Sequence, residues 1–184
     1  MLVDAMDELV NAKGRQGVQC VIVGSGTELP RLEAMVADKG LADYVTFTGF
    51  LSGQPLLEAF STFDIGVIPD PKNTYNDKIS MNKVFEYMTL GIPFVSFDLI
   101  ETRKASGDAA LYAVDNDARD LAAQMARVLD DVDLRGALGE EGASRARALL
   151  KWETERTRLL AAYELALAAP ERVRTARAAR PVSG

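Results

Sequence analysis

Apolar residues follow two different spacings along the chain. Short runs at 18–23, 45–49, 65–69, 93–98 and 110–114 have the length and β-branched content of buried strands. Between them, apolar side chains return every three or four positions, as they do on one face of a helix. Leu2, Met6, Leu9 and Val10 predict a helix over 2–12 that Gly14 ends. Thr27 is the expected cap of a second helix reaching about residue 37 to 39, with Leu32, Met35 and Val36 inward and Gly40 as its stop. A third helix is expected over 54–62, and a turn or short helix near 101–105. Strand and helix in alternation specify the α/β class: a Rossmann-like parallel sheet with helices on both faces.

Two regions depart from that alternation. Residues 70–79 show no periodicity and contain Pro71, Asn73 and Asn76, so they read as the longest loop, leading into a helix over 80–90 that Gly91 stops. From Ala118 the pattern is helical throughout, with segments at 118–129, 134–149 and 153–168 and Trp152 expected as a packing anchor. One domain is therefore expected over 1–169. Residues 170–184, rich in arginine and poor in apolar side chains, read as a flexible basic tail.

Composition narrows the chemistry. With 184 residues, 48 % of them hydrophobic, the chain is long enough for one well-buried domain. A net charge of −6, from 21 basic and 27 acidic residues, argues against nucleic acid or acidic lipid as a general electrostatic partner. Cys20 is the only cysteine and sits within an apolar run, which suits a buried thiol in a reducing cytoplasm. The chain has no histidine, so the commonest general base and the commonest transition-metal ligand are both missing. Acidic residues at positions 4, 7 and 8 do not fit a secretory leader, and no apolar run approaches the roughly 20 residues of a membrane span.

In an open parallel sheet, ligands bind beyond the carboxyl ends of the strands. Three segments fall there: Gly24-Ser25-Gly26, Gly49-Phe50 and the loop from Asp70 to Ser80. Ser80 is the expected N-cap of the helix over 80–90, leaving the amides of Met81, Asn82 and Lys83 without helical partners. Those donors, the helix dipole and the cations Lys78 and Lys83 make a site for a phosphate. Glu86 lies one turn further, about 6 Å along the axis, where a carboxylate could accept both vicinal hydroxyls of a ribose. An exposed Glu86 paired with Lys83 satisfies the spacing equally well.

The other candidates also have two readings. Gly24-Ser25-Gly26 lacks the third glycine of the dinucleotide fingerprint, since position 29 is Leu29; the turn suits close approach of a ligand to the backbone. Phe50 could stack on a base or pack at the sheet rim. Asp77 and Lys78 could bind sugar hydroxyls or phosphate, or be ordinary solvated loop residues.

The segments Val21-Ile22-Val23-Gly24-Ser25-Gly26, Val45-Thr46-Phe47-Thr48-Gly49-Phe50 and Asp64-Ile65-Gly66-Val67-Ile68-Pro69, followed by Lys83-Val84-Phe85-Glu86-Tyr87-Met88-Thr89-Leu90-Gly91-Ile92-Pro93-Phe94-Val95, resemble a known pattern in order and spacing. The chain is similar over about 21–165 to the carboxyl-terminal domain of family 4 retaining glycosyltransferases of the two-domain GT-B type. Trp152 before a last helix agrees. The resemblance implies that Glu86 holds the ribose of a nucleoside-diphosphate sugar and that amides at the Ser80 turn hold its diphosphate. It implies no cofactor and no obligatory metal. It also implies a cytoplasmic place, at the inner membrane's cytoplasmic face for members that build polysaccharide or glycolipid, with peripheral membrane association of the full enzyme.

Two departures qualify it. The family's second glutamate, eight positions before the first, is here Lys78, with Asp77 beside it as a substitute; these two are the candidate catalytic residues. The family domain opens with a central strand, whereas this chain starts at a helix. The amino-terminal acceptor domain, or a chain supplying it, is then a required partner, and the isolated chain is expected to be inactive. Rival readings are a non-catalytic nucleotide-binding module and a nucleotide-sugar 2-epimerase half. An NAD-binding domain is disfavoured by Leu29.

Overall fold

A computed structural model describes residues 1–168, and the basic stretch 170–184 lies outside them. The backbone forms two compact units, Met1–Ala146 and a second beginning at Arg147. The first unit is α/β, as the apolar spacing requires. Its strands are β1 (Cys20–Val23), β2 (Val45–Gly49), β3 (Gly66–Ile68), β4 (Phe94–Phe97) and β5 (Ala110–Ala113). Its helices are α1 (Leu2–Asp7, continued by a π-helical stretch Glu8–Ala12), α2 (Leu29–Asp38), α3 (Gln54–Ser61), α4 (Asn82–Leu90), α5 (Ile100–Ser106) and α6 (Ala118–Asp130). Helix α7 (Val132–Leu149) runs from this unit into the next.

The second unit contains α8 (Trp152–Ala168), whose apolar residues are spread around the helix. Trp152 is 61 % exposed and does not act as the expected packing anchor. Helix α2 also starts later than expected, at Leu29 behind Glu28 and not at a Thr27 cap. Pro30 in its first turn explains the shift, because that position needs no amide hydrogen and favours a fixed φ.

The parallel sheet is in two pieces. Strands β1 and β2 pair with Cys20 opposite Val45, while β3, β4 and β5 pair in that order with Gly66 opposite Phe94 and Phe94 opposite Ala110. No ladder joins β1 to β3 among the described residues. The break falls where the resemblance places a central strand.

Burial follows the break. Every residue of β4 is fully buried, whereas every residue of the equally apolar β1 is only half-buried. Alternation along β4 separates two cores. Val95 and Phe97 join Met6, Leu9, Leu41 and Leu121 on one side; Phe94 joins Ile68, Val84, Met88 and Leu99 on the other. Helix α4 is fastened to the second core through Val84 and Met88 and ends at Gly91, whose φ of 67° an L side chain would resist. The amide of Ile92 then donates to the Tyr87 carbonyl at 2.9 Å, closing the helix end.

Two half-buried acids have a consequence at alkaline pH. Burial pushes the Cys20 thiol up to about 11 and, as the largest influence, the Tyr87 hydroxyl up to about 12. Both are neutral in the folded chain and ionise more readily when it unfolds. Their stabilisation is therefore complete below the unfolded values of 9.0 and 10.0 and is lost as pH rises toward the folded ones. The urea midpoint is expected to fall progressively above pH 9, and Cys20→Val should remove the part of the fall that begins first. An unchanged midpoint from pH 8 to 11 would contradict this.

Candidate functional site

The carboxyl ends of the strands carry two groups of candidate residues. At the ends of β1 and β2, the Gly24 amide donates to the Gly49 carbonyl at 2.8 Å. That bridge sets the Gly24-Ser25-Gly26 turn beside Gly49-Phe50. Ser25 and Gly26 are exposed, and the Phe50 ring is 75 % exposed. Rim or core packing therefore does not account for Phe50, and its face is open to a ligand.

The second group lies between β3 and α4. The expected loop is more ordered than its sequence suggested, because its asparagines supply local hydrogen bonds. Asn73 Oδ1 accepts from the amides of Tyr75 and Asn76, each at 2.9 Å, and Asn76 Nδ2 donates to the Pro71 carbonyl at 2.7 Å. Residues Asn76–Lys78 consequently form a 3-10 turn. Asp77 Oδ1 accepts from the Ile100 amide at the start of α5, at 3.2 Å. Helix α5 is itself held by Arg103, which pairs with Asp98 and lies 3.7 Å from the Tyr112 ring centroid. Asp77 is thus an anchor of the loop, and Lys78 beside it is exposed without an ion-pair partner among the described residues.

Ser80 is not the cap of α4. Its hydroxyl faces Glu101 at 3.5 Å, and the residue preceding the helix is Met81, extended at φ −78°, ψ 129°. Packing decides this: the Met81 side chain is buried in the second core with Val84 and Met88, so the chain turns at Met81 and the helix begins at Asn82. The Val84 amide closes onto the Met81 carbonyl at 3.0 Å. The amides of Met81, Asn82 and Lys83 stay free of backbone partners among the described residues, as a phosphate site at a helix start needs.

Lys83 and Glu86 do not pair with each other. Lys83 Nζ lies 2.5 Å from Asp70 Oδ2 at the end of β3. Glu86 is exposed and makes neither ion pair nor hydrogen bond among the described residues. Spacing alone offered the Lys83 to Glu86 pair as a competing account of this carboxylate; Asp70 takes the lysine instead.

Several residues at this site had escaped the sequence reading. Asp70 gave no signal, being one acid in a polar stretch. The turn after β5 gave a weak one. Asn116 adopts a φ of 60° and exchanges two hydrogen bonds with the Lys72 backbone, at 2.7 and 3.1 Å, while Lys72 Nζ reaches Asp115 at 3.2 Å. This clip fixes the first half of the loop, and an asparagine between two aspartates is a recognisable turn former. No cluster of three or more potential metal-binding side chains occurs among the described residues. No described helix is long and apolar enough to cross a membrane.

Comparison with known proteins fits this geometry. The profile described as glycosyl transferases group 1 matches residues 1–131. The chain belongs to that family. It corresponds to the carboxyl-terminal domain of group 1 glycosyltransferases. It is 32 % identical over 133 residues to an alpha-D-kanosaminyltransferase of Streptomyces kanamyceticus, covering 70 % of this chain and 33 % of that one. Sucrose-phosphate synthase from Thermosynechococcus elongatus superposes with a TM-score of 0.73 at 26 % identity, over 92 % of this chain and 42 % of that one. Anabaena HepE in complex with UDP has the same fold, with a TM-score of 0.69 at 18 % identity over 89 % of this chain and 44 % of that one. The group 1 chain spans about a third of the length of the curated relatives it matches.

Proposed function

We propose that these residues form the donor-binding domain of a transferase that moves a sugar, with retention, from a nucleoside-diphosphate sugar to an acceptor. The carrying observation is Glu86, an exposed carboxylate with no partner among the described residues, one turn behind the free amides of Met81, Asn82 and Lys83. In this reading the diphosphate sits on those amides with Lys78 as the available cation, and Glu86 accepts the ribose hydroxyls. Phe50 offers its open face to the base, with the backbone of Gly24, Ser25 and Gly26 close by. Asp77 shapes the sugar end of the site by holding its loop to α5. That HepE was solved with UDP supports the nucleotide class.

Transfer requires an acceptor oriented against the donor, and orientation alone is worth roughly 7 kcal/mol or more. In this reading the residues assigned above all serve the donor. Acceptor recognition is therefore assigned to a second domain, and residues 1–184 alone should bind nucleotide without appreciable turnover. The test is calorimetry with UDP, GDP and NAD: a nucleoside diphosphate is expected to bind and NAD not to. Preferential binding of NAD would defeat the reading.

Asp70 supplies an independent check. Its carboxylate neutralises Lys83 next to the phosphate position, so Asp70→Asn should release that cation. Partly exposed pairs are worth about 0.2–1 kcal/mol, so affinity for a nucleoside diphosphate should rise about 1.4- to fivefold at low salt, and less at high salt. A loss of affinity would mean that Asp70 holds Lys83 in place for the ligand.

A further inference from the structure

Among the described residues, eight glycines take positive φ, and Asn116 is the one other residue that does, at 60°. Elsewhere the chain meets the need for a left-handed residue with glycine, which has no Cβ to resist it. Asparagine is tolerated there when its side chain finds a hydrogen bond nearby in sequence. Asn116 reaches much further. Its Oδ1 accepts from the Lys72 amide at 2.7 Å and its Nδ2 donates to the Lys72 carbonyl at 3.1 Å, across 44 residues. The cap of α6 is Asp117, so the Asn116 side chain does not serve the next helix.

Lys72 has a particular place in the loop. It follows β3 whereas Asn116 follows β5, with β4 between them in the sheet, so the clip spans the carboxyl edge. Two residues before Lys72 stands Asp70, which holds Lys83. The adjoining Pro71 carbonyl receives Asn76 Nδ2 and Asn73 Oδ1 receives the Asn76 amide, so the 3-10 turn that carries Lys78 is built on the same stretch. The two cations nearest the phosphate position are therefore both placed from this short segment. Lys72 Nζ, 3.2 Å from Asp115, adds a second link to the turn after β5.

We infer that Asn116 is a positioning residue of the donor site: it fixes the loop backbone at Lys72 and so sets where Lys78 and Lys83 stand before a nucleotide arrives. This role rests on the donor-binding reading above. A loop ordered in advance loses less freedom when the ligand binds, so the clip contributes to affinity without touching the ligand. The left-handed backbone and the side-chain bonds are separable. Glycine at 116 keeps the φ that the turn needs and removes both bonds to Lys72.

The test is Asn116→Gly in the full chain, titrated with UDP and GDP by calorimetry at low and high salt and followed by amide exchange. Exchange at Lys72 should quicken by about tenfold or more. The Kd of whichever nucleotide the parent binds should rise about three- to tenfold at low salt, with the melting temperature within about 2 °C of the parent. Because the loss comes from displaced cations, parent and variant should converge at high salt. An unchanged Kd despite faster exchange would overturn the proposal. So would a loss equal at both salts that accompanies a fall of more than about 5 °C in melting temperature, since Asn116 would then only support the fold. Unchanged exchange at Lys72 would refute the clip itself. A parent that binds neither UDP nor GDP would overturn the donor-binding reading and this role with it, whereas the other outcomes leave that reading standing.

Discussion

Replacement of Glu86 by alanine is expected to weaken binding of a nucleoside diphosphate by about 1.5–3 kcal/mol, roughly 10- to 150-fold in Kd. The size follows from what the carboxylate would do. Two hydroxyls of a ribose donating to one charged group make charge-assisted hydrogen bonds, stronger than neutral ones. Glu86 is exposed and makes no bond to the other described residues, so its removal should leave folding within about 0.5 kcal/mol of the parent. Calorimetry and thermal denaturation on the same variant separate the two effects. Glu86→Gln distinguishes charge from shape and should recover only part of the loss. If Glu86→Ala binds as tightly as the parent, the ribose assignment fails and the donor reading loses its principal support.

Replacement of Phe94 by alanine should have the largest effect on stability. Phe94 is fully buried in the central strand β4, packed against Tyr87 with ring centroids 5.8 Å apart. Tyr87 in turn meets Phe60 edge-on at 6.0 Å, so one aromatic stack joins α3, α4 and β4. Large-to-small changes of this kind cost about 3–5 kcal/mol, and at roughly 2–4 °C per kcal/mol the melting temperature should fall by about 6–20 °C. Phe94→Leu should cost less than half as much. Phe50→Ala is the contrast: the ring is 75 % exposed, and its loss should leave stability within about 0.5 kcal/mol while weakening nucleotide binding. Equal stability losses at Phe50 and Phe94 would contradict the burial seen here.

Both predictions touch α4, one through Glu86 and the other through Tyr87 packed on Phe94, and they show how differently its residues could be read. Apolar spacing along 81–88 puts Met81, Val84, Phe85 and Met88 on one face; Met81, Val84 and Met88 are buried, and Phe85 is half-buried. Gly91 marked the helix end and takes the left-handed conformation there. The start of the helix was misread by two residues, because Ser80 is a good cap by type and only the burial of Met81 shows that the chain turns later. Partner choice was equally hidden. Glu86 and Lys83 are neighbours by spacing, yet Asp70, thirteen residues back, takes the lysine. Asp77, a ligand-binding candidate by sequence, also accepts a hydrogen bond from the Ile100 amide, a contact that sequence did not show.

The sequence by itself determined the α/β class, the order of strands and helices, the loop after β3, the helix that carries Glu86, and the family to which the chain belongs. Those properties are local: periodicity, turn residues and motif spacing are written in consecutive positions. Tertiary structure alone decided which acid pairs with Lys83, where α4 begins, that Phe50 lies open, and that the sheet is divided between β1 and β3. Each of these depends on segments far apart in sequence that compete for the same space or the same hydrogen bonds, and no local pattern records the result of that competition.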